Sequence, residues 1–326
     1  MKSSSSQLSY SDVTPNVAAL PVNRSAELRF GAMTLRHRSA PGRRPALRTP
    51  GSWSVRTAWR PWSLSMLVTV VAFTGRLAVL DAADAKTEPA WRPLPLITDG
   101  KVDPSWTHVG WGGFAVGDGA LRTECDPKGL GLLVYSKERI GNNQIRVVFK
   151  TKDAKSNAGV YVRIADGILE QARQPGAAFD RDAAGKISKE SMQRMMDSAE
   201  REEGPWFAVH RGYEVQIADA GDAWHRTGSI YSLAPSSAAS RMPPGEWKTM
   251  IITLAGNRIF VDLDGQRITS LDPSGPDVPA RKAWHEPKRE PKRPEAGYIG
   301  LQNHDPGDVV WFKEVSLRPL PTANAR

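Results

Sequence analysis

Eleven short stretches between Gly119 and Leu317 carry apolar side chains at every second position or in a brief run. They are Gly119–Thr123, Gly131–Ser136, Gln144–Lys150, Gly159–Ile164, Gly212–Ile217, Ser229–Leu233, Lys248–Leu254, Arg258–Leu263, Gln266–Ser270, Gly297–Gln302 and Val309–Leu317. A period of two puts alternate side chains on opposite faces of a strand and is incompatible with a helix. Gly, Asp and Asn punctuate the intervals, and Asp262-Leu-Asp-Gly-Gln266 has the form of a hairpin with Asp264-Gly265 as its two-residue turn. Only Ser188–Glu203 carries a helical period, through Met192, Met195, Met196 and Ala199. So many strands with so little helix predict an all-β fold. The expected form is a two-sheet antiparallel jelly-roll sandwich over 90–320, with a helical insertion at 179–203 covering one rim.

The preceding residues read differently. Residues 1–60 are rich in Ser, Pro and Arg with almost no apolar periodicity, which predicts a disordered basic leader. Residues 61–85 then set an apolar run behind Arg56 and Arg60 and end in an Ala83-x-Ala85 pattern, the layout of a signal peptide, or of a membrane anchor if it stays uncleaved. Export to the periplasm, the cell envelope or the medium is the expectation, with a membrane partner only if the 62–80 segment is retained. This division also relocates the charge. The whole chain carries +9, and residues 1–85 hold eleven Lys/Arg and four Asp/Glu, or +7, leaving 9 − 7 = +2 for the remainder. A domain so nearly neutral gives no general case for nucleic acid, and the mixed run Arg281–Arg293 reads as a solvated loop. Cys125 is the only cysteine, which excludes an intramolecular disulfide or a cysteine-based metal cluster.

Three strands carry polar and aromatic side chains on the face opposite their apolar one. Glu214 and Gln216 point the same way, away from Val215 and Ile217, and Asp219 follows near the strand end. Asn157, Gly159, Tyr161 and Arg163 share one face, with Val160, Val162 and Ile164 on the other. Tyr298, Gly300, Gln302 and His304 alternate with Ile299 and Leu301. One such face is the ordinary solvent side of an antiparallel sheet. Three of them bearing Arg, Glu, Gln, His and Tyr suit a carbohydrate cleft, where planar polar groups take hydroxyls and aromatic rings stack on sugars. Trp111, Trp206 and Trp224 fall in predicted loops able to line such a cleft, with Tyr231 and His225 nearby, whereas Trp247 and Trp311 read as packing residues. His210 is a further candidate. Glu214, Asp219 and His304 offer ligands to a divalent ion if they converge. Phe179–Ser191 has the outline of a calcium loop through Asp180, Asp182, Gly185 and Ile187, but Ala184 and Ser191 stand where carboxylates are needed.

The segments Asn157–Arg163, Gly212–Asp219, Thr227–Tyr231, Gly245–Lys248 and Gly297–Val315 resemble the 3-keto-disaccharide hydrolase domain family. The likeness runs from Ile97 to Leu317 with its motifs in order. It implies a concanavalin-A-like sandwich acting on glycosides, including ones oxidised at C3. Glucanases of that fold carry Glu-x-Asp-x-x-Glu, against Glu214-x-Gln216-x-x-Asp219 here. A glutamine at the centre cannot tune neighbouring carboxylates by like charge, which weakens the case for a two-carboxylate mechanism. A 3-keto sugar needs only one base, because the ketone acidifies the hydrogen at C2. The roles so implied are Glu214 as base, Arg163 and Gln216 as stabilisers, and His304 or Asp219 as acid or orienting partner. The substrate contacts expected are Asn157, Tyr161, Trp224, His225, Tyr231 and Gln302. The alternatives are a non-catalytic, lectin-like carbohydrate-binding module and a structural domain of the envelope.

Overall fold

The computed structural model describes residues 89–320, apart from 239–242, Pro276 and Pro291. The leader and the signal or anchor segment expected over 1–85 lie outside the described residues. In chain order the strands are β1 (Arg92–Leu94), β2 (Ile97–Thr98), β3 (Lys101–Val102), β4 (Trp106–Gly110), β5 (Gly113–Gly117), β6 (Ala120–Glu124), β7 (Gly131–Tyr135), β8 (Asn143–Thr151) and β9 (Asn157–Ile164). Two helices, α1 (Lys189–Glu200) and α2 (Trp206–Arg211), precede β10 (Tyr213–Ala218), β11 (Lys248–Ala255), β12 (Arg258–Leu263), β13 (Gln266–Leu271), β14 (Tyr298–Asn303) and β15 (Val310–Pro319).

These strands form the expected antiparallel sandwich. One sheet has the order β13-β12-β11-β8-β15-β6-β5, with β1 added against β15, and the other has the order β10-β9-β14-β7-β4. The space between them is filled by the apolar faces that alternation predicts. Ile145, Val147 and Phe149 of β8 are fully buried while their neighbours are half-exposed. They meet Val160 and Val162 of β9, Val215 and Ile217 of β10, and Ile299 and Leu301 of β14 in one cluster. Removing each such side chain from water stabilises the fold by roughly 1.5–3 kcal/mol before entropy is set against it. The hairpin turn forms as its sequence demands, with Asp264 at φ 48° and Gly265 at φ 85°, the positive pair of a two-residue turn.

The structure departs from sequence expectation in three ways that matter for the site. First, the helical insertion does not sit on a rim. Ser188 caps α1 by accepting from the Ser191 amide at 3.0 Å, and Met195 and Ala199 of α1 pack with Trp206 and Val209 of α2 on Val109, Leu132, Val134, Tyr161 and Ile164. The insertion therefore covers part of the outer face of the five-stranded sheet. Second, Ser229–Leu233 is not a strand. Ser232 sits at φ 56°, which an extended strand excludes, and the segment turns after only isolated bridges. It still covers the β10 edge, with the Gln216 amide donating to Ser229 O at 3.0 Å and the Tyr231 amide to Glu214 O at 2.9 Å. Third, Trp247 is 37% exposed rather than packed, with Lys150 Nζ 4.7 Å from its ring. Within the segment that has the outline of a calcium loop, Asp182 Oδ1 accepts from the backbone amides of Ala184 and Lys186, and Asp180 pairs with Arg194. No described helix is long and apolar enough to cross a membrane.

Candidate functional site

Strand pairing brings the polar faces of β10, β9 and β14 together. Glu214 lies opposite Tyr161 and Gln216 opposite Gly159, while Gly300 of β14 pairs with Tyr161 from the other side. The uncovered part of the outer face, beside the helical insertion, holds a cavity of about 200 Å³. Asn157, Tyr161, Glu214, Gln216, Gln302 and His304 line its floor, and Trp206, Trp284, Phe179, Tyr231 and His285 rise around it.

Glu214 is the chemical centre. Its Oε2 accepts from the Tyr161 hydroxyl at 2.8 Å, and that hydroxyl accepts from Gln302 Nε2 at 3.2 Å. Burial pushes the Glu214 carboxyl up to about 7, against the opposing effects of the Tyr161 bond and the charge of His304. Burial also holds Tyr161 well above its ordinary value, so it stays a neutral donor. Gly159 makes the space for this carboxylate, since a Cβ there would overlap Glu214 Oε1 and come within 2.9 Å of its Cγ. His304 Nδ1 lies 2.9 Å from Asp308 Oδ2. Burial works against the imidazolium, but the Asp308 bond and the charges of Asp305, Asp308 and Glu214 outweigh it and raise His304 above its ordinary value. The cavity thus pairs a carboxyl poised to lose a proton near neutrality with an imidazole poised to keep one.

Three amide oxygens in the lining, Asn157 Oδ1, Gln216 Oε1 and Gln302 Oε1, are buried with no hydrogen-bond partner among the described residues. Buried acceptors are rarely left so. Several in one cavity suit a ligand rich in hydroxyl donors. Aromatic rings complete the walls. Trp206 and Trp284 stand 5.2 Å apart and tilted by 52°, and the Tyr231 hydroxyl meets His285 Nδ1 at 3.1 Å.

Six residues expected at the site are elsewhere. Arg163 is turned away by a bulge. The β9–β14 register shifts between Tyr298 and Gly300, and Arg163 takes φ 52°. The alternation slips there, so Ile164 instead of Arg163 joins Tyr161 on the outer face, and the guanidinium donates to Gly256 O and, at 3.1 Å, to Asn257 O. Asp219 falls one position beyond the end of β10, where the odd spacing from Gln216 takes it off the outer face; Thr227 Oγ1 donates to its Oδ1 at 3.4 Å. His225 is held at both ring nitrogens, by Asp222 Oδ1 and Ser232 Oγ, each at 2.9 Å. Its ring supports Tyr231 from behind with centroids 5.0 Å apart. Trp224 lies in the same turn, outside the cavity lining. Trp111 is outside it too, with Lys128 over its ring. His210 is buried behind Trp206 and pushed down to about 4 by burial, which keeps it neutral. With Asp219 absent, Glu214 and His304 do not complete a metal site. Among the described residues no group of three or more His, Cys, Asp or Glu is placed to hold an ion.

Trp206 lines the cavity as expected but from an unexpected element, and Trp284 and His285 are contributors that sequence reasoning missed. Trp206 opens α2 instead of lying in a loop, and its Nε1 meets Met195 Sδ at 3.3 Å. Trp284 and His285 sit in the basic run Arg281–Arg293, whose composition gave no sign that it folds over the sheet.

Residues 91–318 match the family described as the 3-keto-alpha-glucoside-1,2-lyase-like domain. No curated protein matches the chain. Among solved structures, a Parabacteroides distasonis protein provisionally assigned as a glycosyl hydrolase is 23% identical, over 71% of this chain and 100% of that one, with a TM-score of 0.44. A second such protein from the same organism is 17% identical over 68% and 91%, with a TM-score of 0.45. The carbohydrate binding module CBM66 from Bacillus subtilis is 11% identical over 66% and 95%, with a TM-score of 0.34.

Proposed function

The chain belongs to the 3-keto-alpha-glucoside-1,2-lyase-like family, and from that premise we propose that it cleaves 3-keto-glycosides by elimination with Glu214 as the base. The observation that carries this reading is the Glu214 carboxyl itself. It is half-buried at the cavity floor, raised to about 7, hydrogen-bonded to Tyr161 and ringed by amide oxygens without a partner among the described residues. A base is most effective with a pKa near the working pH.

The steps balance without a second carboxylate. The C2 hydrogen of the sugar passes as a proton to Glu214, and the electron pair forms the enolate of the C3 ketone. That enolate re-forms the ketone, sets a C1–C2 double bond and expels the glycosidic oxygen from C1. His304, whose proton affinity the Asp308 bond raises, supplies the proton to that leaving oxygen. Water can then add at C1, completing net hydrolysis. Arg163 has no part in stabilising the enolate; the Tyr231 hydroxyl and the Gln216 side chain, which line the same cavity, take that role. Asn157 and Gln302 accept sugar hydroxyls, and Trp206 and Trp284 offer apolar faces to the sugar rings. The signal-like pattern of residues 61–85 supports action outside the cytoplasm, on glycosides of the envelope or medium.

Incubating the protein with the 3-keto and the unoxidised form of one glucoside tests the reading. Release of the aglycone with a conjugated enone, from the ketone alone, is expected. Binding of both sugars with no product from either contradicts it and marks a carbohydrate-binding module.

A further inference from the structure

A second cavity, of about 500 Å³, lies at the end of the sandwich where the β9–β10 pair faces the β11–β12 turn, and it shares no lining residue with the Glu214 cavity. We propose that it binds an oxyanion carried on a sugar-sized body, a sugar acid or a sugar phosphate.

Charge is the first argument. Arg163, Arg289, Lys292 and Arg293 line the cavity against two carboxylates, Glu290 and Glu295, both exposed. Arg163 is 2% exposed and Arg293 8%. A guanidinium withdrawn from water needs a counter-charge or a full set of acceptors. Arg289, 3.4 Å from Glu286, is the only one of the four in an ion pair among the described residues. Arg163 donates to the carbonyls of Gly256 and Asn257, and Arg293 to those of Gly212 and Lys288. Arg163 Nε is buried with no partner among the described residues. Burial lowers the pKa of Arg163, Arg289 and Arg293 alike.

Shape is the second argument. The lining also holds the apolar side chains Leu233, Leu271 and Val278 and the ring of Tyr213, whose centre lies 4.8 Å from Arg293. A lining that combines guanidinium groups with apolar side chains fits a ring that carries one oxyanion better than a bare inorganic ion, and planar guanidinium groups suit carboxylate and phosphate equally. The volume falls in the usual range for small-molecule sites. The run Arg281–Arg293, read from sequence as a solvated loop, is thus partly buried around this cavity.

The site is independent of the Glu214 reaction, so its test is a binding measurement. Titration calorimetry of the full chain with glucuronate, glucose 6-phosphate and glucose is expected to show one charged sugar binding at least tenfold more tightly than glucose. Which one binds distinguishes carboxylate from phosphate. Lys292→Glu, an exposed change that leaves the core intact, should weaken that binding at least fivefold. Arg293→Gln should abolish it, and Glu214→Gln should leave it unchanged. Failure of both charged sugars to bind at millimolar concentration would overturn the proposal and leave the arginines as structural clamps. Equal affinity in the wild type and Lys292→Glu would also overturn it, by placing the ligand elsewhere.

Discussion

At the scale of single residues, the chemistry rests on how a few groups are held. Glu214 is raised by burial and restrained by Tyr161, so Tyr161 matters as a regulator of its proton affinity as much as a contact. Tyr161→Phe removes the bond that lowers the Glu214 pKa. The acid limb of the kcat/KM profile, which reports loss of the ionised base, should then move from near 7 to higher pH. A limb that stays in place would mean that another group controls it. Glu214 and Gln216 were legible in the sequence because a strand period fixes the faces of nearby residues. Arg163 was misplaced because one bulged residue reverses that parity, and a bulge leaves no mark in an apolar-polar pattern. Asp219 was misplaced for a related reason, since a side chain past the strand end no longer obeys the period.

At the scale of elements, the site depends on the registered contact of β9 with β10. Gly159 stands opposite Gln216 and leaves room for the neighbouring Glu214 carboxylate. Gly159→Ala should displace that carboxylate, lowering kcat at least tenfold while the far-ultraviolet circular dichroism stays that of the sandwich. Unchanged kcat would show that the carboxylate does not act from its observed position. Ten of the eleven expected strands are present, because half-buried antiparallel strands announce themselves by alternation. The strands β1 to β5 are short or punctuated by glycine and were not read. The walls over the site were less legible still. The placement of α1, α2 and the Trp284–His285 segment is set by contacts with residues far away in sequence, as the packing of Trp206 on Met195 and Trp284 shows.

At the scale of the whole molecule, two groups shifted by desolvation oppose each other in stability. His210 is depressed to about 4, so its contribution is present above its unfolded value of 6.5 and is lost as pH falls through 4. Glu214 is raised to about 7, so stability is greatest below its unfolded value of 4.5 and declines as pH rises through 7. Each shift corresponds to about 3 kcal/mol, and over the shared window the slopes have opposite sign. The wild-type Tm should therefore change little from these two groups between pH 5 and 6.5, roughly the overlap of the two windows. Glu214→Gln should be stabilised at pH 8 relative to wild type, as thermal unfolding at a roughly constant ionic strength would show. A lower Tm for Glu214→Gln at that pH would refute the burial of an ionisable carboxyl. The same group then defines the most direct measurement of function, exchange of the C2 hydrogen of a 3-keto-glucoside in deuterium oxide, followed by proton magnetic resonance. The wild type should wash out that signal and release the aglycone, and Glu214→Gln should do neither, with the sugar still bound. Wild-type exchange by Glu214→Gln would contradict the assignment of Glu214 as the base.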